Sequence, residues 1–121
     1  MGLIKQIDDN LGRLFKFLED TGHMEDTMIV FTSDHGDYQG DHWLGEKELF
    51  HEQSVRVPMI IYDPSEQADK TRGTKEKRFI EAIDLLPTFL DAVESSVSKH
   101  RLEGNSLMPV IKAEDPKNWK D

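Results

Sequence analysis

Apolar residues recur at three- and four-residue spacing through residues 3–20, and charged residues occupy the positions between them. This spacing predicts an amphipathic helix with one apolar face. Thr21 and Gly22 follow, and glycine favours the left-handed conformation that ends many helices, so we expect the helix to stop there. The apolar face consists of Leu3, Ile4, Ile7, Leu11, Leu14, Phe15 and Leu18.

Two apolar runs predict β-strands. Residues 28–32 are few and rich in β-branched side chains, which is typical of a strand buried on both faces. Residues 55–62 predict a second strand, and Pro58 restricts it to a sheet edge or to a start near Met59. A helix followed by a strand predicts an α/β unit that packs onto a sheet.

The second half of the chain has weaker patterns. Residues 64–77 are polar and without periodicity, which indicates a solvated loop. Asp84 is a candidate N-cap for a helix whose first turn contains Pro87. After a polar connection over 94–105, residues 106–111 predict a short turn or helix.

Residues with metal-binding chemistry stand directly after the first predicted strand. Asp34 and His35 offer a carboxylate oxygen and an imidazole nitrogen, which suit a divalent ion such as Mn, Zn or Ca. Ligands in open α/β sheets bind outside the carboxyl ends of the strands. We therefore predict that both residues are metal ligands and that Gly36 lets the backbone turn sharply beside the ion. The alternative is a turn-forming Asp34 and a surface His35.

The predicted site continues into a long polar loop, residues 37–53. Loops of this length inside compact domains are usually functional or disordered. Four large side chains within it favour an ordered loop with buried aromatic residues that covers the site, namely Tyr38, Trp43, Leu44 and Phe50.

Composition narrows the possible partners. The net charge of −9 and a pI near 4.9 argue against nucleic-acid binding, which requires a basic surface, and against docking onto an anionic membrane. The absence of cysteine excludes disulfides and zinc–thiolate sites. A length of 121 residues allows one domain at most.

Five motifs follow one another between residues 32 and 107. They are Thr32-Ser33-Asp34-His35-Gly36, Gly45-Glu46-Lys47, the run from His51 to Pro58, the run from Ile83 to Thr88, and the run from Glu103 to Leu107. In this order they resemble successive landmarks of the sulfatase family in the alkaline-phosphatase superfamily. The segment 40–47, Gly-Asp-His-Trp-Leu-Gly-Glu-Lys, is most similar to its phosphonate monoester hydrolase and arylsulfatase-like branch. The resemblance covers about residues 1–112.

The resemblance implies an α/β fold, part of an alkaline-phosphatase-like sheet flanked by helices. It also implies a metal-dependent hydrolase of sulfate, phosphate or phosphonate esters, with Asp34 and His35 binding a divalent ion, Mn or Ca. Lys47 would contact a small anionic ester and stabilise the charge that develops on it. Family members carry a formylglycine nucleophile in a Cys/Ser-x-Pro-x-Arg motif, which is absent from this sequence.

We therefore expect residues 1–121 to be a fragment of a single catalytic domain whose nucleophile lies in an upstream part. The fragment alone is expected to be inactive and prone to self-association, and the full-length protein to be oligomeric. Two alternatives stay open: a non-catalytic metal-binding or scaffold domain, and an incidental α/β module.

The other polar residues near Asp34 and His35 are weaker candidates for a functional role. Ser33 beside Asp34 and His35 does not indicate a hydrolase triad, because neighbours in a strand point to opposite faces. The resemblance assigns no firm role to His42 and His51. Glu52 and Arg56 are expected to form a structural ion pair under the loop. The remaining candidate for catalysis is Lys47.

Overall fold

The computed structural model describes residues 2–95, 97–98, 101–114 and 119. Helix α1 spans Gly2–Asp20. Gly22 has a φ of 75°, and the N–H of His23 donates to the carbonyl of Leu18 at 2.8 Å while that of Gly22 donates to Glu19 at 3.1 Å. These two hydrogen bonds form a Schellman motif. The predicted end of the helix at Thr21-Gly22 is thereby confirmed.

Strands β1 (Ile29–Thr32) and β2 (Met59–Tyr62) pair antiparallel, with Ile29 opposite Tyr62 and Thr32 opposite Met59. Strand β2 begins directly after Pro58, as expected for a residue that has no N–H to donate to the ladder. In the described part of the chain, β1 pairs along one edge only. It is half-buried here rather than buried on both faces.

Three short α-helices follow in the described residues: α2 (Glu52–Val55), α3 (Leu85–Ala92) and α4 (Met108–Ile111). Pro87 lies in the first turn of α3, as predicted. Single turns of 3₁₀ helix precede or connect these elements at Asp41–Trp43, Glu66–Ala68 and Ala82–Asp84.

Two fully buried polar side chains join α3 to the segment before α4. The Asp84 carboxylate accepts the N–H of Glu81 and the N–H of Asn105, both at 2.9 Å. The Thr88 hydroxyl donates to the Asp84 carbonyl at 2.6 Å and accepts the N–H of Leu107 at 2.8 Å. The predicted N-cap is wrong in detail: Asp84 has helical backbone angles, and its carboxylate does not cap the N–H groups of α3.

The apolar core is small. The buried apolar residues of the described chain are Tyr38, Ala68, Leu107 and Met108. The accessible surface is 9933 Å² for a mass of 14.0 kDa, against about 6,700 Å² for a compact monomer of that mass. The chain thus exposes more surface than a compact monomer of its mass, and many large apolar side chains are among the exposed residues.

Much of this exposed apolar surface belongs to α1. The helix is amphipathic as predicted, yet none of its described residues is buried. Its largest exposed side chains are Leu3, Ile4, Ile7, Leu14 and Phe17. Within the described ranges, no helix is both long enough and apolar enough to cross a membrane.

Candidate active site

Asp34 lies just beyond β1, where the chain leaves the sheet. The Ser33 hydroxyl donates to the His35 carbonyl at 2.7 Å, and one carboxylate oxygen of Asp34 accepts the His35 N–H at 3.0 Å. These local bonds hold the turn, and the Asp34 side chain remains 84% exposed. Its second oxygen, Oδ2, is therefore available to a ligand at the carboxyl end of the strand.

The ring of His35 is fixed by one backbone hydrogen bond. Nδ1 lies 2.7 Å from the Gly36 carbonyl oxygen, and because a carbonyl can only accept, Nδ1 carries the hydrogen. The lone pair is then on Nε2, which lies 3.4 Å from Oδ2 of Asp34. A histidine that binds a metal typically has its other nitrogen bonded in this way.

Asp34 is an anion at neutral pH. The N–H of His35 and, secondarily, the electrostatic interaction with the His35 ring hold the pKa of the Asp34 carboxyl below its ordinary value. An ionised carboxylate is the form that binds a divalent ion.

The third predicted residue, Lys47, lies in the loop 37–53 and contacts His35. Its Nζ lies 2.6 Å from Nε2 of His35, and the ammonium donates to the ring nitrogen. The structure thus brings together Asp34, His35 and Lys47, which are the metal-binding and catalytic residues that the sequence predicts.

Asp34 and His35 fit a divalent metal as two of its ligands, one hard oxygen and one neutral nitrogen. Among the described residues, no group of three or more histidine, aspartate or glutamate side chains is placed to hold a metal ion. The ligand set that this part of the chain supplies is therefore partial.

Gly36 allows the backbone that follows His35 to lie close to the backbone of Gln53 and Ser54. Its N–H donates to the Ser54 carbonyl at 2.7 Å, and a Cβ at this position would lie 1.9 Å from the Gln53 carbonyl oxygen. Its φ is not positive. The expectation that Gly36 serves a sharp turn is therefore wrong, and the glycine is required for close packing of two backbones.

The aromatic residues of the loop 37–53 are not uniformly buried. The N–H of Tyr38 donates to the Glu46 carbonyl at 3.0 Å, and Tyr38 is buried. Trp43 and Phe50, in contrast, are 100% and 93% exposed. The expectation of buried aromatic residues is confirmed for Tyr38 and wrong for Trp43 and Phe50.

The secondary candidates have other contacts. Ser33 bonds to the backbone of the turn and does not form a triad. His42 and His51 stack with ring centroids 4.5 Å apart. Glu52 and Arg56 form the expected ion pair at 3.1 Å, but both side chains are exposed rather than covered by the loop.

Two further residues contribute to the site: Ser54, which the sequence did not single out, and Tyr38, which was predicted only as a buried residue of the loop. Ser54 and Tyr38 hydrogen-bond to the backbone around Lys47. Their partners lie 7 to 13 residues away along the chain. Because hydrophobic periodicity and local turn signals act over shorter distances, no signal in the sequence alone identifies these bonds.

The sequence and the fold are similar to those of known proteins. The family model described as Sulfatase matches residues 1–95. A multifunctional alkaline phosphatase superfamily protein of Trinickia caryophylli, PehA, is 40% identical over 98% of this chain and 23% of its own length. The chain therefore belongs to the sulfatase family.

Two solved structures have the same fold. The phosphonate monoester hydrolase of Agrobacterium radiobacter superposes with a TM-score of 0.89 at 36% identity, covering 98% of this chain and 23% of that one. A second structure, BT4656 in complex with its substrate D-glucosamine-2-N,6-O-disulfate, gives a TM-score of 0.75 at 33% identity over 97% and 23% of the two chains. The predicted α/β class, part of an alkaline-phosphatase-like fold, is confirmed.

The chain spans about a quarter of the length of the proteins that it matches. Family membership implies a metal ion and a formylglycine. The sequence of 121 residues contains neither a cysteine nor a Ser-x-Pro-x-Arg motif from which a formylglycine would form.

Proposed function

We propose that this chain is part of the catalytic domain of a metal-dependent hydrolase that acts on sulfate, phosphate or phosphonate esters. The observation that carries the proposal is the convergence of Asp34, His35 and Lys47 at the carboxyl end of β1, with Lys47 Nζ 2.6 Å from His35 Nε2. Catalytic sites in α/β proteins occur at such strand ends.

Asp34 and His35 are the proposed metal ligands. The Gly36 carbonyl holds His35 in the tautomer with its lone pair on Nε2, and Asp34 Oδ2 lies on the same side of the ring. A divalent ion bound there supplies Lewis acidity that polarises the ester oxygen and favours the ionised nucleophile. Manganese or calcium is the proposed ion, as the family resemblance implies, and one carboxylate with one imidazole is compatible with either.

Lys47 is the proposed substrate-binding and catalytic residue. A single lone pair on Nε2 cannot serve both the Lys47 ammonium and a metal ion, so with a metal held by Asp34 and His35 the ammonium would be free to donate elsewhere. A lysine at this position can donate to a non-bridging oxygen of the ester and stabilise charge that develops in the transition state. Its positive charge also favours an anionic substrate in an acidic protein of net charge −9.

The nucleophile is proposed to lie outside these 121 residues, in a longer protein of which this chain is a fragment. Two observations support this: the sequence has no cysteine and no Ser-x-Pro-x-Arg motif, and the matched relatives are about four times as long. The exposed apolar face of α1 would then pack against the rest of the domain.

The test begins with the reading frame upstream of residue 1, which should encode Cys/Ser-x-Pro-x-Arg. The full-length protein, supplied with Mn or Ca, should hydrolyse at least one of an aryl sulfate, a phosphate diester and a phosphonate monoester over many turnovers. The 121-residue chain, purified and assayed in the same way, should be inactive.

Each outcome of this test separates the proposal from its rivals. Metal binding without turnover by the full-length protein would identify a non-catalytic metal-binding domain. Failure to bind metal would identify an α/β module without this chemistry. Repeated turnover by the verified 121-residue chain would overturn the fragment assignment, because a residue within it would then be the nucleophile.

A further inference from the structure

We propose that Ser54 and Tyr38 are positioning residues for Lys47. They act by holding the backbone on both sides of Lys47 so that its ammonium meets the site formed by Asp34 and His35. The proposal rests on the function proposed above for Lys47 and adds to it the residues on which its placement depends.

Ser54 directly connects the backbone of Lys47 with the backbone that follows His35. Its hydroxyl donates to the carbonyl of Lys47 at 3.0 Å, and its own carbonyl accepts the N–H of Gly36 at 2.7 Å. Ser54 is buried, with 4% of its surface exposed. One buried residue thus fixes the backbone of the lysine relative to the backbone that follows His35.

Tyr38 makes a second, independent set of bonds on either side of Lys47. Its N–H donates to the carbonyl of Glu46 at 3.0 Å, and its hydroxyl donates to the carbonyl of Leu49 at 2.9 Å. The same hydroxyl lies 3.0 Å from Nδ1 of His51. The Tyr38 ring is almost completely buried, at 1% exposure, so these bonds are shielded from water.

The loop that these bonds hold is not in a relaxed conformation. Four non-glycine residues between positions 39 and 46 have positive φ angles of 48° to 61°, namely Gln39, His42, Trp43 and Glu46. L-residues adopt this region at a cost in free energy and remain there only when the surrounding structure holds them. Loss of the bonds from Tyr38 or Ser54 therefore favours relaxation of the loop and displacement of Lys47.

Lysine needs such support more than most catalytic residues. Its side chain has four rotatable carbon–carbon bonds and carries a compact charge, so its position depends on where the backbone holds its Cα. Small displacements of a group that meets the substrate are costly, because a misplacement of about 1 Å reduces rates by roughly 100-fold.

The first experiment measures Lys47 itself, without turnover. In the full-length protein, competitive acetylation followed by mass spectrometry gives the labelling rate of Lys47 relative to Lys16, an exposed lysine on α1. We expect Ser54→Ala and Tyr38→Phe each to raise the relative rate at Lys47 several-fold, because the loop that fixes the backbone of Lys47 relaxes and the ammonium loses its fixed place in the site. Each variant removes a hydroxyl and leaves most of the side-chain volume in place.

Thr71→Val is the matched control for this labelling. The Thr71 hydroxyl also donates to a distant backbone carbonyl, that of Ile111 at 2.5 Å, but it lies outside residues 34–54. The control should leave Lys47 labelling unchanged. Equal labelling of Lys47 in wild-type protein, Ser54→Ala and Tyr38→Phe would overturn the proposal, whether or not the protein hydrolyses any ester.

The second experiment is a double-mutant cycle on kcat. Ser54→Ala should lower kcat by roughly tenfold without changing the metal content. In a Lys47→Ala background the same change should have no further effect, because Ser54 acts through Lys47. Independent, multiplying losses would overturn the proposal. A wild-type kcat for Lys47→Ala alone would instead contradict the proposed function of Lys47, while the labelling result would still decide the positioning role.

Discussion

Two aspartates in this chain stand at comparable places, each where a regular element begins or ends, and they differ in how their oxygens are used. Asp84, before α3, is fully buried, and its two carboxylate oxygens accept the N–H groups of Glu81 and Asn105. Asp34, after β1, is largely exposed, and its Oδ2 faces Nε2 of His35 at 3.4 Å.

The difference distinguishes a structural carboxylate from a ligand-binding one. Both oxygens of Asp84 are occupied by backbone donors that come from separate parts of the chain, so this carboxylate holds the fold together. Asp34 accepts the N–H of His35 through Oδ1, and its Oδ2 lies beside the lone pair of the His35 ring. A carboxylate with an accessible oxygen is able to bind a metal ion, and a saturated one is not.

Replacing the exposed carboxylate should have the largest effect on turnover. In the full-length protein, Asp34→Ala should lower both bound metal and turnover to near background, because it removes a metal ligand. His35→Ala should act in the same direction but less strongly, because water can replace the imidazole. Elemental analysis and steady-state kinetics measure the two effects.

A matched control for Asp34→Ala is Asp9→Ala. Asp9 is also exposed, and it pairs with Lys5 on the surface of α1, where ion pairs contribute little. This variant should keep its metal and its turnover. Unchanged metal content in Asp34→Ala would contradict the assignment of Asp34 as a ligand.

Removal of Lys47 should have the next largest effect. Lys47→Ala should reduce turnover by on the order of 100- to 1,000-fold, by analogy with the loss of an oxyanion-hole donor, and should change metal content much less. The reason is that the lysine meets the substrate and not the ion. Kinetics and metal analysis of the same preparation test this prediction, with Lys16→Ala as the control. Wild-type kinetics in Lys47→Ala would show that Lys47 has no role in catalysis.

Replacing the buried carboxylate should affect stability and not chemistry. Asp84→Ala leaves the N–H groups of Glu81 and Asn105 without their carboxylate acceptor at a cost of roughly 1–3 kcal/mol each, so the free energy of unfolding should fall by about 2–6 kcal/mol. Urea unfolding of the full-length protein measures the loss. Turnover per folded, metal-loaded molecule should stay close to wild type. If Asp84→Ala instead lost metal without losing stability, Asp84 would be a ligand-binding carboxylate like Asp34, and the distinction between the two would be wrong.

Several features of this protein were predictable from short stretches of sequence. The end of α1 at Gly22 and the start of β2 after Pro58 depend on one residue and its immediate neighbours. Asp34 and His35 are adjacent, so their joint placement after a strand needed only the strand to be recognised. The apolar spacing along residues 3–20 predicted the amphipathic helix but not whether its face is covered.

Other features depended on contacts between distant residues. Trp43 and Phe50 are as apolar as Tyr38, yet only Tyr38 is buried among these three. Gly36 is required because the backbone at Gln53 lies against it, whereas the sequence favoured a turn. Gln53 lies 17 residues from Gly36, and the hydrogen-bond partners Leu49 and His51 lie 11 and 13 residues from Tyr38, beyond the range of local periodicity or turn preference.

The sequence by itself determined the helix, the two strands and the family motifs, because each depends on residue types within a few positions of one another. The tertiary structure alone decided that Lys47, twelve residues from His35, places its ammonium on Nε2, and that Asp84 is saturated while Asp34 is open. Burial and hydrogen-bond partners are properties of the folded chain, since they depend on which distant backbone groups arrive beside a side chain.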